Sequence, residues 1–253
     1  MNRKRLTNDS QGFTMVELLI VLPIVSLIVI IVFNYMFVSY GKMLQENTEA
    51  NLRLEGETML LDLQDELLFT TDYGEVRSAD LTDAYAPVGG WTYNTNPDTL
   101  IIYETSLTAP RRDPNREFVY KNVYGCSGAN SAFNPIAINN LIYFTKQNTV
   151  NQYKTLYRRT LTPQYSLCGT NYKLQTCPVA NVGTPPCMRA DTILSSNIID
   201  FRVDYFDENN VMLTTPPSSP FSAEKVKLTA ILGQSMYGKN LSVETTITMK
   251  KIN

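Results

Sequence analysis

Between Leu18 and Phe33 the chain reads LLIVLPIVSLIVIIVF, and with its flanks the apolar stretch runs from Phe13 to Val38. A helix needs roughly 20 predominantly apolar residues to cross a bilayer, so this pattern predicts a membrane-spanning helix over residues 13–40. After Lys42 the period changes. Leu52, Met59, Leu60, Leu63 and Leu67 recur at helical spacing with Leu54, Leu61 and Leu68 alongside, while Asn51, Arg53, Glu55, Glu57, Asp62, Asp65 and Glu66 occupy other positions. That spacing predicts an amphipathic continuation of the helix over residues 41–70. A leucine stripe of this length left bare would be an exposed patch, so it requires a covering surface.

Beyond the helix, the stretch from Thr71 to Asp98 has no regular period and contains Gly74, Pro87, Gly89, Gly90 and Pro97, the pattern of a long connection. Runs rich in β-branched and aromatic residues follow at Thr99–Thr105, Glu117–Tyr124, Leu141–Lys146 and Tyr153–Leu161, each bounded by turn formers. Near the C-terminus the alternation is clean. Ile199, Phe201, Val203 and Tyr205 share one face against Asp200, Arg202 and Asp204, and a turn follows at Asp207–Asn210. Val226, Leu228, Ala230 and Leu232 alternate next, then Leu241, Val243, Thr245, Ile247 and Met249. Such period-two strands imply an antiparallel sheet with one face on a core and one in water. The simplest core partner is the leucine stripe. The expected fold class is therefore α+β: a long N-terminal helix packed on an antiparallel β-sheet head spanning residues 71–253.

Charge and composition narrow the chemistry. The 253 residues carry 22 Lys+Arg against 24 Asp+Glu, a formal net charge of -2, which offers nothing to drive counterion release from nucleic acid. The chain has no histidine, which excludes Ser-His-Asp and Cys-His nucleophile pairs, His-ligated metals and an imidazole proton shuttle. No Gly-rich phosphate loop, G-x-S-x-G elbow or metalloprotease motif occurs, and no carboxylate pair stands out from surface acids. The expectation is a protein that is not an enzyme and has no cofactor or metal.

The apolar segment has two unusual features at its start. Glu17 lies inside the run, where a carboxylate at the bilayer centre would cost about 2.5–3.5 kcal/mol on insertion scales. Gly12 sits at the junction between a polar, basic leader, MNRKRLTNDSQG, and the apolar run. Arg3, Lys4 and Arg5 precede the segment and only Lys42 follows closely, so the positive-inside rule puts the N-terminus in the cytoplasm and the head outside. No small-x-small cleavage site of a secretory signal follows the apolar core. Should such helices bundle, the cationic amine of one Phe13 and the carboxylate of Glu17 on its own or a neighbouring chain would offset each other's desolvation and select an axial stagger.

The string Gly12-Phe13-Thr14-Met15-Val16-Glu17-Leu18-Leu19-Ile20-Val21 closely resembles the class III signal of type IV prepilins, with Met15 in place of the commoner leucine. The resemblance implies that a prepilin peptidase cuts after Gly12, removes residues 1–12, and methylates the exposed amine of Phe13. It implies Glu17 as the assembly residue. Pro23 comes earlier than the helix-bending proline of many pilins. The order of elements, with the stretch Asn197–Asp207 and two closing strands, is similar to the large minor pilins: the J-type minor pseudopilins of type II secretion and the PilW-like proteins. Loss of the leader would leave 241 residues, large for the family, and shift the net charge from -2 to -4. The implied partners are other pilins through the helix, the prepilin peptidase, a pilus or secretion assembly platform, and the membrane. Nucleic acid is not expected, except in a DNA-uptake pilus.

Cys126, Cys168, Cys177 and Cys187 all fall in the part assigned to the outside. An even count in an oxidising compartment reads as two disulfides, with three pairings open. A four-cysteine zinc site is the alternative, but no C-x-x-C knuckle is present. Residues 163–189, rich in Cys, Pro, Gly, Asn and Thr, read as a stapled surface loop that either stiffens the head or shapes a partner-facing surface. Asp204, Asp207, Glu208 and Asn209 cluster at a turn, where such residues are favoured without a calcium ion. Arg111, Arg112, Arg158, Arg159 and Lys154 lie among tyrosines, where scattered basic pairs on strands read as a solvated face rather than a nucleic-acid path.

The function expected is a structural minor pilin or pseudopilin of the priming or tip complex, placed in the cytoplasmic membrane and then in a surface pilus or periplasmic pseudopilus. The competing class is a membrane-tethered binding protein with an adhesin-like head. A third class, a membrane-anchored hydrolase, requires an acid pair in a cleft.

Overall fold

The computed structural model describes residues 14–67, 70–93, 99–149, 152–213, 223–236 and 238–250. Helix α1 runs from Met15 to Leu67. The strands that follow are β1 (Thr70–Tyr73), β2 (Leu100–Thr105), β3 (Tyr120–Lys121), β4 (Ile138–Gln147), β5 (Lys154–Leu161) and β6 (Leu167–Cys168). Then come β7 (Thr176–Cys177), β8 (Arg189–Ala190), β9 (Thr192–Phe206), β10 (Lys225–Met236) and β11 (Lys239–Lys250). The chain divides into two compact units, Met1–Thr48 and Glu49–Asn253.

In the first unit, the helical residues from Met15 to Tyr40 expose their large apolar side chains on all sides. A helix apolar all round belongs in an apolar medium rather than in water. This is the one stretch among the described residues long and apolar enough to cross a membrane. Pro23 lies within the helix without ending it.

In the second unit, seven strands form one antiparallel sheet in the order β1-β2-β4-β5-β9-β10-β11. The last turns of α1 bury Leu52, Met59, Leu60 and Leu63 in a single cluster with Leu100, Ile102, Leu141, Leu156, Phe201, Val226, Leu228, Ala230 and Leu232. The expected α+β arrangement, a helix stripe covered by an antiparallel sheet, is what the structure shows. The stripe is narrower than the leucine count suggests, since Leu54 and Leu61 are 64% and 59% exposed. Gly56 completes it. A Cβ there would lie 2.8 Å from Thr245 Oγ1 and 3.0 Å from Leu232 Cδ1, so glycine lets the helix approach β10 and β11 closely.

Several expectations need correction. The sheet does not have one wet face throughout. Ile101, Ile142, Phe144 and Leu161 point away from the helix into a second core with Leu81 and Trp91, both carried by the connection after β1. The described part of that connection is therefore a packed cover, and the start of the expected connection, Thr71 to Tyr73, belongs to strand β1. The uninterrupted apolar runs Leu100–Tyr103 and Leu141–Phe144 already carry the signature of strands buried on both faces. The run Glu117–Tyr124 contributes only the two residues of β3, joined by single bridges at Leu107–Phe118 and Tyr120–Ile136. Ile199 leaves the core face and is 42% exposed, because the β9–β10 register shifts between Ile231 and Leu232. Its side chain lies over Gly233, where a Cβ would come within 2.3 Å of Ile199 Cδ1.

Candidate functional site

The entrance to α1 is built by a reciprocal pair. Thr14 precedes the first helical residue, and its hydroxyl accepts the Glu17 N–H at 3.3 Å. Glu17 Oε2 in turn accepts the Thr14 N–H and the Thr14 hydroxyl, each at 2.9 Å. This is a capping box, in which the first turn's orphan N–H groups and the acid satisfy one another. The box is legible in the sequence as Thr14-Met15-Val16-Glu17, a T-x-x-E signature that reading Glu17 only as an assembly acid overlooks. Gly12 and Phe13, the expected processing site, lie outside the described residues. Farther along, Ser26 donates its hydroxyl to the Leu22 carbonyl at 2.8 Å, so that polar group adds no unmet donor to the apolar surface.

The C-terminal turns of the same helix are fastened to the sheet by ionic contacts. Glu55 accepts from the Ser195 hydroxyl at 2.7 Å and from the Asn197 amide at 3.0 Å. Glu66 accepts the Tyr143 hydroxyl at 2.7 Å and pairs with Arg158. Arg111 donates to the Glu66 carbonyl at 2.9 Å, satisfying one of the carbonyls that a helix end leaves open, and pairs with the buried Glu104. Lys173 reaches the other side of Glu104 at 2.7 Å. Desolvation holds the Tyr143 hydroxyl well above its ordinary pKa, and the adjacent Glu66 carboxylate pushes the same way.

The basic pairs are thus not a solvated face. Arg158 and Arg159 point to opposite sides of β5, and each meets acids. Arg159, 3% exposed, pairs with Asp191 at 2.6 Å and with Asp83 at 2.9 Å. Arg112 alone of the four stands largely in solvent, 2.7 Å from Asp65. With their charges answered, Arg111, Arg158 and Arg159 offer little to a nucleic-acid backbone.

The four cysteines form two disulfides, Cys126–Cys168 and Cys177–Cys187, so the zinc alternative is overturned. The first ties the segment after β3 to β6; the second closes a short loop between β7 and β8. At the turn after β9, Asp207 Oδ1 accepts the N–H groups of Asn209 and Val211 at 2.9 and 2.8 Å, the ordinary work of an aspartate in a turn. Among the described residues no group of three or more acids and cysteines is gathered as a metal site.

An exposed apolar helix with a capped acid at its entrance, continuing into a stripe that carries a β-sheet head, defines a membrane-anchored protein of pilin-like architecture. Residues 7–33 match the family of the prokaryotic N-terminal methylation motif, the class III signal of type IV prepilins and pseudopilins. The chain therefore carries the signature of a type IV pilin or pseudopilin precursor. That motif family is structural rather than enzymatic, and its general partners are other pilins and the prepilin peptidase. No curated protein matches the chain.

Proposed function

We propose that the protein is a minor pilin or pseudopilin, inserted with its N-terminus in the cytoplasm and its head outside, cut after Gly12 and N-methylated at Phe13. It assembles through its apolar helix into a type IV pilus or a type II secretion pseudopilus, in the priming or tip complex. The observation that carries this reading is the methylation motif leading directly into a helix apolar on every side. In a shared helical core, the Glu17 carboxylate and the Phe13 amine of its own or a neighbouring chain offset each other's charge and fix the stagger between subunits. The capping box adds a step: Glu17 is satisfied by Thr14 before assembly and exchanges part of that bonding for the amine within the filament. The large head, tied to the helix at Glu55 and Glu66, suits a subunit that ends or primes a filament. Glu17→Leu tests the role. The variant is expected to insert and be processed yet be absent from sheared filaments; incorporation at the parental level contradicts it.

A further inference from the structure

On the side of the sheet away from α1, a cleft of about 600 Å³ opens among the connection after β1, strands β4 and β5, and the disulfide-closed loop after β7. Its volume lies in the range of small-molecule sites, roughly 300–1,000 Å³. The floor is aromatic. Trp91 packs on Phe144 with ring centroids 4.7 Å apart and planes tilted by 47°, and Phe144 stacks on Tyr157 at 5.6 Å; with Trp91 and Phe144 only 6% and 9% exposed, this is a stepped platform whose most open ring is Tyr157. Tyr85, Thr99 and Lys146 complete the parts of the wall that bear on a ligand.

The electrostatics of this cleft are settled internally. The Arg159 guanidinium lies 5.4 and 5.5 Å from the Trp91 and Phe144 rings, taking the cation–π position itself. Its N–H groups are spent on Asp191, Asp83 and the Tyr85 carbonyl. An anion finds no uncommitted guanidinium there, and a quaternary ammonium finds its place filled. Lys146 is exposed at the mouth, where solvent screens it. The indole N–H, which would otherwise grip a carbonyl of a proline-rich peptide, is donated to Asp83 at 2.6 Å. What remains are apolar ring faces and hydroxyls that both donate and accept. Among the described residues the buried hydroxyl of Thr99, which is 1% exposed, has no hydrogen-bond partner, and the half-buried Tyr157 brings a second hydroxyl to the lining. A buried hydroxyl left unpaired is costly, and a ligand group that reaches it recovers that cost.

We infer that this cleft binds a neutral sugar, one pyranose face lying on the Tyr157 ring beside what Trp91 and Phe144 leave open, with ring hydroxyls meeting those of Tyr157 and Thr99. A sugar presents what the cleft leaves open: an apolar C–H face, no net charge, and hydroxyls of dual character. The loop closed by Cys177–Cys187 forms one wall through Pro178 and Val179, so the stapled insert serves the cleft as well as the stiffness of the head. This reading concerns the head alone and does not depend on processing or assembly.

Trp91 is the sole tryptophan, so the fluorescence of the intact protein reports on the platform directly. The full chain, held in a polyoxyethylene detergent that carries neither sugar nor charge, is titrated with the methyl glycosides of glucose, galactose, mannose, N-acetylglucosamine and N-acetylgalactosamine. Inorganic phosphate and a decaproline peptide are titrated in parallel. The expected result is a saturable change with at least one glycoside, and no change with phosphate or decaproline. Tyr157→Phe and Thr99→Val, which each remove one hydroxyl and keep the shape of the side chain, are expected to keep parental thermal unfolding and to weaken that glycoside about fivefold. Silence towards all five glycosides, a response to phosphate or decaproline instead, or parental glycoside affinity in both folded variants overturns the inference.

Discussion

Arg159 sits on a strand beside another arginine, and in the sequence the pair looks like surface charge. In the fold it is 3% exposed between two carboxylates that are themselves covered, with aromatic rings against its guanidinium. Removing one member of a buried ionic group leaves the others charged and unpaired, which costs more than the group contributes as a whole. Arg159→Leu is therefore expected to destabilise the head by about 3–5 kcal/mol in urea unfolding; a loss below about 1 kcal/mol would mean the aspartates are hydrated. Alternation told that Arg158 and Arg159 face opposite sides of β5, but not that both sides are covered, since the cover comes from Asp83 and Glu66, far away in sequence. Glu17 is the opposite case. Its capping partner is local, so the box is readable from the four consecutive residues Thr14 to Glu17.

The C-terminal elements were the most legible ones. Strands β9, β10 and β11 alternate in sequence because their other face is largely wet, and burial follows the pattern at Phe201, Val226, Leu228 and Leu241, breaking at Ile199 where the register shifts. The helix stripe was legible for the same reason. What the period could not give was Gly56, because a glycine adds nothing to a hydrophobic pattern and its value lies in what it leaves out. Gly56→Val is expected to destabilise by about 1–3 kcal/mol through overpacking against Thr245 and Leu232. Thr245→Ala in the same chain should recover part of the loss, since it removes the two nearest atoms. Thermal unfolding of the single and double variants checks this; a Gly56→Val protein as stable as its parent would show that the helix stands off the sheet. The run Glu117–Tyr124 misled because its strand propensity is real, while tertiary pairing there is limited to bridges and the Cys126–Cys168 tether.

At the scale of the whole molecule, the head buries tyrosines whose neutral form the fold requires. Desolvation raises Tyr73 to about 12, aided by Asp72, and raises Tyr143 and Tyr205 as well. A tyrosine whose folded pKa exceeds its unfolded value of about 10 keeps its full stabilisation below that value. The stabilisation is then lost as pH rises towards the folded pKa, because the folded state holds the proton longer. Stability of the head should be level up to about pH 10 and fall between about 10 and 12, with Tyr73 alone accounting for about 2–3 kcal/mol. Denaturant midpoints measured across that range, beside the absorbance of tyrosinate, test the sign and the window. A midpoint that stays level to pH 12 would contradict it.

The membrane helix and the head meet different demands, one for an apolar medium and the other for a covered stripe, and the central claim is that the first serves assembly. Mass spectrometry of the N-terminal peptide, taken from native membranes or a sheared surface fraction, tests that claim most directly. A chain beginning at N-methylated Phe13 is the predicted result. A chain that still carries Met1 to Gly12 in the mature protein would contradict it and make the helix an ordinary anchor.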